Sequence, residues 1–392
     1  MKSIALTTSL LFSAFLALPL SAAVHISEAE VEDETGFELE VLTNKLHFPW
    51  GIDWFKDGSA IITEQAGTVR IFRDGRLGPA IDFPAEVTTG GPGGITRGQG
   101  GLMDVAVSPD FDSSGWLYFT YSSGDQEANR TELARAKLSR DSLVDFETIW
   151  RNPIDKNGGQ HFGSRILFLP DGTLLLSVGD GGNPPVSYKG DAIRKQAQNT
   201  ATPFGKVLRL NPDGSIPSDN PDFGSGALPG LWTYGHRNIQ GIHRDPETGQ
   251  IWANEHGAFY GDEINLLTAG ENYGWPAATF SVNYGVKTKI SDHTELPGMI
   301  SPKITWLRRH APSGLLIYRG NEFPKWNGAV FSGGLKSEDL RVVKNAEEPA
   351  SIIETRIPID RRVRDISLSP EGALYVLTDH KNGDLIRITP VE

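Results

Sequence analysis

Side chains that could do chemistry are concentrated in four glycine-containing segments of the chain. The segments are residues 98–105 (GQGGLMDV), 160–165 (QHFGSR), 235–241 (GHRNIQG) and 254–265 (NEHGAFYGDEIN). A weaker basic set near the C-terminus comprises Lys336, Arg361, Arg362 and Arg364. A neutral imidazole can act as a general base near neutral pH, and arginine binds carboxylates bidentately. Taken singly, a histidine is more often a hydrogen-bonded core residue, and Lys and Arg are usually solvated.

Oxygen donors dominate the fourth segment. Its side-chain donors are Glu255, Asp262, Glu263 and Asn265, and backbone carbonyls lie beside its glycines. This donor set suits a hard cation such as calcium, although the acidic spacing is not that of an EF-hand. An acidic turn without metal explains the composition equally well. Zinc held by His161, His236 or His256 is a weaker alternative, because no His-x-x-x-His pair is present.

Six glycine turns, each followed by a short apolar strand, must position these segments. The turn glycines are at positions 58, 115, 172, 249, 328 and 372, and the strands that follow them are residues 60–63, 116–120, 174–177, 251–254, 329–332 and 374–377. Asp-Gly or Asn-Gly between apolar strands is a strong hairpin signal. Six such units predict an all-β, six-bladed β-propeller, with a pair of β-sandwiches or a β-helix as the alternatives.

The two ends of the chain and the long intervals between turns refine this prediction. Residues 37–42 alternate with period two and residues 385–388 form a last apolar strand, so pairing the two would close the ring and hide its edges. The intervals 115–172, 172–249 and 249–328 are long enough to contain long loops. We expect these loops to gather at one mouth of the central channel, where long ordered loops are usually functional.

Composition and the N-terminal segment limit which partners, cysteine chemistry and cellular location can be expected. The 392 residues carry a formal net charge of −12 and no cysteine. An extensive basic surface for nucleic acid is therefore not expected, and disulfides, thiolate metal sites and cysteine nucleophiles are excluded. Residues 1–23 are predicted to be a signal peptide, with a membrane anchor as the alternative. Residues 24–392 are then one domain, periplasmic or secreted, with no membrane span after cleavage.

Taken together, the segments resemble the soluble quinoprotein glucose/sorbosone dehydrogenases, and among them the bacterial aldose sugar dehydrogenases. The most specific matches are Gly-His-Arg-Asn at 235–238, Gly-Asp-Glu-Ile-Asn at 261–265 and Asn-Tyr-Gly-Trp-Pro at 272–276. The resemblance extends from residues 48–51 to 374–379. It implies a six-bladed propeller that binds pyrroloquinoline quinone (PQQ) with calcium and oxidises an aldose at C1 to the lactone. An external acceptor would then take the electrons.

The resemblance also implies a role for individual residues. His161 matches the base that takes the C1 hydroxyl proton as hydride leaves for the calcium-polarised quinone, and Gln99 matches a substrate contact. The positions matching cofactor contacts are Arg237, Asn238, Gln240, Lys336, Arg362 and Arg364. The positions matching calcium ligands are Gly257 and Ala258, through their carbonyls beside the cofactor, and Glu263 and Tyr273 at a structural site. Ile239 and Ala258 stand where the family usually has proline, and Ser164 where glycine is common.

Two other functions are compatible with the same sequence. A calcium-dependent propeller lactonase would need carboxylates and a metal-bound water but no basic cluster. A non-catalytic propeller would use its mouth to bind a protein or glycan. Fold alone does not decide between them. The sequence leaves open the preferred sugar, the electron acceptor, and whether the protein is a monomer or a homodimer.

Overall fold

The structure, a computed structural model, describes residues 24–27, 30–89, 98–182 and 186–391. The predicted signal peptide, residues 1–23, lies outside the described residues. Within the described ranges no helix is both long and apolar enough to cross a membrane. Helices are short and few there: an α-helix at Phe111–Ser114, and 3-10 helices at Ile193–Gln198, Pro324–Trp326 and Pro349–Ser351.

Six sheets of the described chain are blades, antiparallel except at two edges, and we number them 1 to 6 in chain order. Blade 1 consists of Pro49–Trp54, Ala60–Glu64, Thr68–Arg73 and the short Arg76–Leu77 and Ile81–Asp82. Blade 2 consists of Leu102–Val107, Trp116–Gly124, Asn129–Ser139 and Ser142–Arg151. Blade 3 consists of Ile166–Phe168, Leu174–Val178, Lys206–Leu210 and Leu231–Tyr234, with a separate hairpin at Ser187–Tyr188 and Asp191–Ala192.

The other three blades each recruit a strand from the N-terminal part of the chain. Blade 4 consists of Ile239–Arg244, Ile251–Glu255, Asp262–Leu267 and Ile304–Trp306, with His25–Ser27 at its edge. Blade 5 consists of Pro312–Ile317, Val330–Gly334, Asp339–Lys344 and Ile353–Pro358, with Glu32–Asp33 at its edge. Blade 6 consists of Val363–Leu368, Leu374–Thr378 and Gly383–Pro390, completed by Phe37–Leu46.

The six-bladed prediction is confirmed. Each of the six strands predicted after a glycine turn overlaps the second strand of a blade. The closing pair is also confirmed, since Phe37–Leu46 pairs antiparallel with Gly383–Pro390 and places Leu39 opposite Ile388. The first strand of blade 6 packs against that of blade 1, which completes the ring.

Apolar side chains fill the spaces between neighbouring blades. One cluster joins Ile52 and Ile62 of blade 1 to Leu377 and Leu385 of blade 6. Burying one such side chain fully stabilises the fold by about 1.5–3 kcal/mol. Because each blade covers its neighbour's face, the ring is held by these interfaces and the first strands are fixed around the central channel.

All six first strands enter the channel from the same end, which we call the mouth. Gly241, third in the first strand of blade 4, packs against the backbone of Gly314, third in that of blade 5. Gly314 in turn packs against Asp365, third in that of blade 6. Neighbouring first strands are therefore parallel and in register. The loops that enter first strands, and those that join second to third strands, consequently lie at the mouth.

Candidate active site

Bulges in the first strands turn individual side chains into the mouth. The pairing register of blade 4 shifts between Ile239 and Gly241, and that of blade 6 between Val363 and Asp365. The extra residues are Gln240 and Arg364. Bulges beside active sites commonly re-aim a side chain in this way. Two of the residues predicted to contact cofactor thus occupy positions that strand alternation alone would not have assigned to the mouth.

A buried His–Asp pair lies in the loops before and after the first hairpin of blade 3. His161 Nδ1 is 2.6 Å from Asp180 Oδ1, and the backbone N–H of His161 donates to Gln99 Oε1 at 2.8 Å. The other oxygen of Asp180 accepts the indole N–H of Trp275 at 2.9 Å. Because Nδ1 faces a carboxylate, we assign the ring proton to Nδ1. Nε2, which no described residue approaches within hydrogen-bond distance, is then the basic nitrogen.

The surroundings favour the neutral imidazole. Burial lowers the pKa of His161, and the positive charge of Arg237 lowers it further, while Asp180 opposes both. Burial by itself would raise the pKa of Asp180, but the hydrogen bond and charge of His161 and the charge of Arg237 outweigh it and lower that pKa. At neutral pH the pair is therefore a neutral imidazole beside an ionised carboxylate, which is the arrangement that a general base requires.

Arg237 and Asn238 lie directly before the first strand of blade 4. The backbone N–H of Arg237 donates to Glu255 Oε2 at 2.6 Å, and its guanidinium donates to the carbonyl of His256 at 3.1 Å. The guanidinium carbon lies 5.3 Å from the ring centroid of Trp275. Asn238 Oδ1 accepts the backbone N–H of Gly163 at 3.1 Å. Among the described residues no carboxylate forms an ion pair with Arg237, and Asp180 and Asp262 act on this buried cation only through their charge at longer range.

Arg364 connects Gln240 to an acidic residue of blade 6. Its guanidinium donates to Gln240 Oε1 at 3.3 Å and pairs with Asp379 at 3.1 Å, and Arg362 pairs with the same carboxylate at 2.9 Å. Arg364 Nε is buried without a hydrogen-bond partner. Burial and the charge of Arg362 lower the pKa of Arg364, with Asp379 opposing them. Two cations therefore share one carboxylate, which leaves a net positive charge at the mouth.

Lys336 shares this end of the channel without touching the other predicted cofactor residues. It lies between the second and third strands of blade 5, and its backbone N–H donates to the carbonyl of His310 at 3.1 Å. Its side chain is exposed and makes no ion pair or hydrogen bond within the described part of the chain. Arg361 points elsewhere, to Asp384 at 3.1 Å, and is a surface residue.

The loop that follows the second strand of blade 4 presents backbone carbonyls. The N–H of Gly257 donates to Asp262 Oδ1 at 2.8 Å, and that of Ala258 donates to Ser281 Oγ at 3.1 Å. No donor of the described residues reaches the carbonyl oxygens of Gly257 and Ala258. A Cβ at Gly257 would collide with the carbonyl of Tyr260, so the tight loop requires glycine there. Two backbone oxygens thus remain for a cation.

The carboxylate of Asp262 is not free to bind a cation, because both of its oxygens already accept hydrogen bonds. One of its oxygens holds Gly257, and the other accepts the backbone N–H groups of His310 at 3.1 Å and Ala311 at 2.7 Å. The carboxylate therefore ties the blade 4 loop to the entry of blade 5. Its function in the structure is to hold the loop, although the sequence pattern grouped it with the possible calcium donors.

Glu263 and Tyr273 lie in a buried polar cluster beneath Arg237. Asn265 Nδ2 bridges Glu255 Oε1 at 3.0 Å and Glu263 Oε2 at 3.3 Å, while its Oδ1 is buried without a partner. The ring of Tyr273 stacks on His236, with centroids 4.6 Å apart. Burial, together with the charge of Glu255, raises the pKa of Glu263 well above its usual range. Within the described residues, neither Glu255 nor Glu263 is paired with a Lys or Arg side chain, and Glu255 has only the imidazole of His236, at 3.0 Å, as an ion-pair partner.

The cluster does not by itself form a metal site made of side chains. Within the described residues, no group of three or more His, Cys, Asp or Glu side chains is arranged to hold a metal ion. The hydroxyl of Tyr273 is already used, since it donates to the carbonyl of Leu266 at 2.9 Å and accepts the N–H of Thr268 at 2.8 Å. A cation here would depend on backbone oxygens and water beside Glu263, so this calcium site stays a prediction.

The two acidic partners at the mouth, Asp180 and Asp379, were not predicted from the sequence. Asp180 follows Leu174–Val178 by two residues, and Asp379 directly follows Leu374–Thr378; both strands are the second in their blade. An acid at the end of a second strand is therefore the signal that could have found them. Neither has a local motif, because their partners His161 and Arg364 lie 19 and 15 residues away in the chain.

Comparison with known proteins places this chain in a family. A family model described as glucose/sorbosone dehydrogenase matches residues 46–387, and the chain therefore belongs to that family. The aldose sugar dehydrogenase YliI of Escherichia coli is 35% identical over 379 residues, covering 95% of this chain and 96% of that protein. Quinoprotein glucose dehydrogenase B of Acinetobacter calcoaceticus is 28% identical, covering 94% and 90%.

Solved structures agree with this assignment. The apo form of the soluble aldose sugar dehydrogenase of Escherichia coli has a TM-score of 0.81 at 34% identity, over 90% of this chain and 99% of that one. The PQQ-bound aldose sugar dehydrogenase of Streptomyces coelicolor has a TM-score of 0.69 at 26% identity, over 90% and 98%. The resemblance inferred from the sequence motifs is confirmed.

Proposed function

We propose that this protein is a PQQ-dependent dehydrogenase that oxidises aldose sugars at C1 to lactones. The observation that carries the proposal is the joint position, at one channel mouth, of the neutral His161 imidazole beside the Asp180 carboxylate and two guanidinium groups, the buried Arg237 and the half-buried Arg364. Family membership supports it, as do the relatives named for quinoprotein and PQQ-bound dehydrogenases.

The cationic mouth suits the charge of PQQ, which carries three carboxylates. In an acidic protein, a tri-anion needs a local group of cations, and arginine offers both paired hydrogen bonds and a planar face. Arg364 Nε has no partner, and no described carboxylate pairs with Arg237. The residues that would hold the cofactor are Arg237, Asn238, Gln240, Lys336, Arg362 and Arg364.

The free carbonyls of Gly257 and Ala258 would hold calcium beside the cofactor, because calcium prefers oxygen ligands and accepts backbone carbonyls. Glu263 and Tyr273 would border a second, structural calcium, which would supply a positive charge to their cluster. When bound, PQQ supplies the hydride acceptor, and calcium draws electron density from its reactive carbonyl.

The protein's own residues handle the proton and place the sugar. His161 Nε2 accepts the C1 hydroxyl proton, and Asp180 holds the ring in the correct tautomer and stabilises the imidazolium that forms. Gln99 Oε1 is fixed by the backbone of His161, so its exposed carboxamide nitrogen is left to donate to a sugar hydroxyl. Asn238 braces the His161 loop through Gly163, which keeps base and cofactor residues in a fixed relation.

The proposal is tested by reconstitution. Apo-protein is mixed with PQQ and calcium, and dye reduction is followed with a panel of aldoses, with chelated and quinone-free samples as controls. We expect reduction that requires both additions. Bound quinone without reduction by any aldose would contradict the proposal and favour a binding module. Hydrolysis of lactones without quinone would favour the lactonase.

We also propose that the protein is exported and acts outside the cytoplasm, where it passes electrons to an external acceptor. The supporting observation is the predicted signal peptide at residues 1–23. Sequencing the N-terminus of protein recovered from the producing cells tests this, with Val24 expected as the first residue. An intact Met1 on the mature protein would contradict it.

A further inference from the structure

A buried lysine without a carboxylate partner lies beside the His161 loop. Lys156 is 7% exposed, and its Nζ donates to Asn129 Oδ1 at 2.9 Å and to the carbonyl of Gly158 at 2.7 Å. Nζ also lies 3.9 Å from the ring centroid of Phe162. No acidic side chain in the described ranges forms an ion pair with it. Because burying an unpaired ammonium is costly, this arrangement calls for an explanation.

The lysine anchors the segment that delivers His161 to the mouth. Its backbone exchanges two hydrogen bonds with Asn129, at 2.9 and 2.8 Å, which fixes the start of the loop. Further along, the carbonyl of Gly159 accepts the N–H of Gln99 at 2.7 Å, and the carbonyl of Phe162 accepts the hydroxyl of Thr131 at 3.0 Å. The loop is thus held at both ends, and the ammonium lies inside its turn.

The charge of Lys156 also acts on the His–Asp pair. Burial lowers the pKa of Lys156 to about 7, with Asp180 opposing that change. The ammonium is among the groups that lower the pKa of His161, after burial and Arg237. The other charged or titratable groups that act on this imidazole are Asp180 and His256. Below pH 7, Lys156 therefore carries a proton and repels the imidazolium.

We propose that Lys156 is a positioning residue for the proposed sugar oxidation: it anchors the loop that carries His161, and its positive charge opposes protonation of that imidazole. The inference rests on the proposed function, in which His161 is the base. Its consequence is that the enzyme keeps a neutral base at a lower pH than it would without the lysine.

A second buried lysine provides a matched control. Lys206 is also without a carboxylate partner in the described structure, and its Nζ donates to the carbonyls of Gln196 at 2.9 Å, Ala197 at 2.9 Å and Phe204 at 2.7 Å. Its pKa is lowered by burial alone, with no charged group acting on it. Replacing Lys206 should therefore disturb the fold in a similar way without changing the charge near His161.

The first experiment measures His161 itself in apo-protein, by NMR titration of the imidazole with His161→Asn used for assignment. Lys156→Met should raise the pKa of His161 by about half a unit or more, because a nearby like charge is lost. Lys156→Arg and Lys206→Met should leave it within about 0.2 units of the parent. If the His161 imidazole titrates at the same pH in Lys156→Met as in the parent, the proposed effect of the Lys156 charge is wrong. Since neither quinone nor sugar is needed, this result is independent of the proposed function.

The second experiment follows turnover against pH in protein loaded with PQQ and calcium. The fall in kcat at acid pH should occur at higher pH in Lys156→Met, by the same shift as the pKa of His161 in the NMR titration. Lys156→Arg should return this fall to the pH at which the parent shows it. Loss by an equal factor at every pH, with no displaced limb, would show a purely structural anchor and would contradict the proposal. If the parent itself fails to turn over, it is the proposed function that fails, and the NMR comparison still decides the role of Lys156.

Discussion

Two arginines of the central channel, the buried Arg165 and the half-buried Arg364, have opposite environments. Arg165 and Arg364 both lie near the ring of Trp50, with guanidinium carbons 4.3 and 5.5 Å from its centroid. Arg165 forms ion pairs with Asp104 at 3.1 Å and Asp365 at 3.0 Å. Although burial opposes it, those two carboxylates raise the pKa of Arg165, whereas burial and Arg362 lower the pKa of Arg364.

The charge of Arg165 is paired within the protein, whereas the guanidinium of Arg364 keeps a donor that is free to bind a ligand. The Arg165 guanidinium also donates to the carbonyls of Gln240 at 2.6 Å and Arg364 at 3.2 Å, so its hydrogen bonds hold the bulged strands in place. Arg364 shares one carboxylate with Arg362 and keeps an unpaired Nε. A buried charge that its own protein leaves partly unsatisfied is a functional-site signal.

The largest effect on the free energy of unfolding should come from replacing Arg165, the arginine whose charge is paired within the protein. Arg165→Met leaves Asp104 and Asp365 buried without their cation, and losing one partner of a buried pair costs about 3–5 kcal/mol. Arg364→Met should cost about 1 kcal/mol or less, because Asp379 keeps Arg362. Urea unfolding of the two variants beside the parent measures both values. Equal losses would remove the distinction between the two sites.

Removing the proposed base, His161, should have nearly as large an effect on the rate of the reaction and little effect on quinone binding. His161→Asn should reduce turnover by roughly a hundredfold or more, about 2.7 kcal/mol in the barrier, because no other described group holds the position of Nε2. Quinone affinity should stay close to that of the parent. Steady-state rates and a quinone titration check the two halves. A variant that keeps most of its rate at neutral pH would mean that another residue is the base.

Calcium removal should lower both stability and activity. A ligand at a hundred times its Kd stabilises the native state by about 2.7 kcal/mol, and at about 2.1 cal/mol/K of unfolding entropy per residue each kcal/mol moves the Tm of a chain this long by roughly 1–2 °C. We therefore expect the melting temperature to fall by several degrees on exhaustive chelation and to recover on adding calcium. Chelation that leaves the melting curve unchanged would remove the structural site at Glu263 and Tyr273.

The smallest effect concerns the acidic lining of the channel away from the mouth. Burial, with repulsion from Asp365, raises the pKa of Asp53 to about 6. Native protein therefore binds this proton more tightly than unfolded protein, and stability falls as pH rises from about 4 to 6. Asp53→Asn removes that loss, so its stability relative to the parent should rise by about 2 kcal/mol across this window. Denaturant unfolding at pH 4, 5, 6 and 7 measures the difference, and a constant difference would contradict it.

The blades were predictable because each repeats a local signal, a glycine turn before an apolar strand. The parallel edge strands His25–Ser27 and Glu32–Asp33 were not, since two or three residues carry no periodicity and their partners lie far along the chain. His161 and Arg364 were identified from family motifs. Arg165, which stands in the same motif as His161, could not be given its structural role, because only the closed ring brings Asp104 and Asp365 to it.

In the proposed function the cations of the mouth bind the quinone, and titration of apo-protein with PQQ at fixed calcium decides whether they do. Arg364→Ala and Lys336→Ala should each weaken binding by about 2–4 kcal/mol, or roughly thirtyfold to several hundredfold, without unfolding the protein. Arg361→Ala, which removes a surface arginine paired with Asp384, is the matched control and should bind like the parent. Affinities within about threefold of the parent for both mouth variants would contradict the proposed cofactor site.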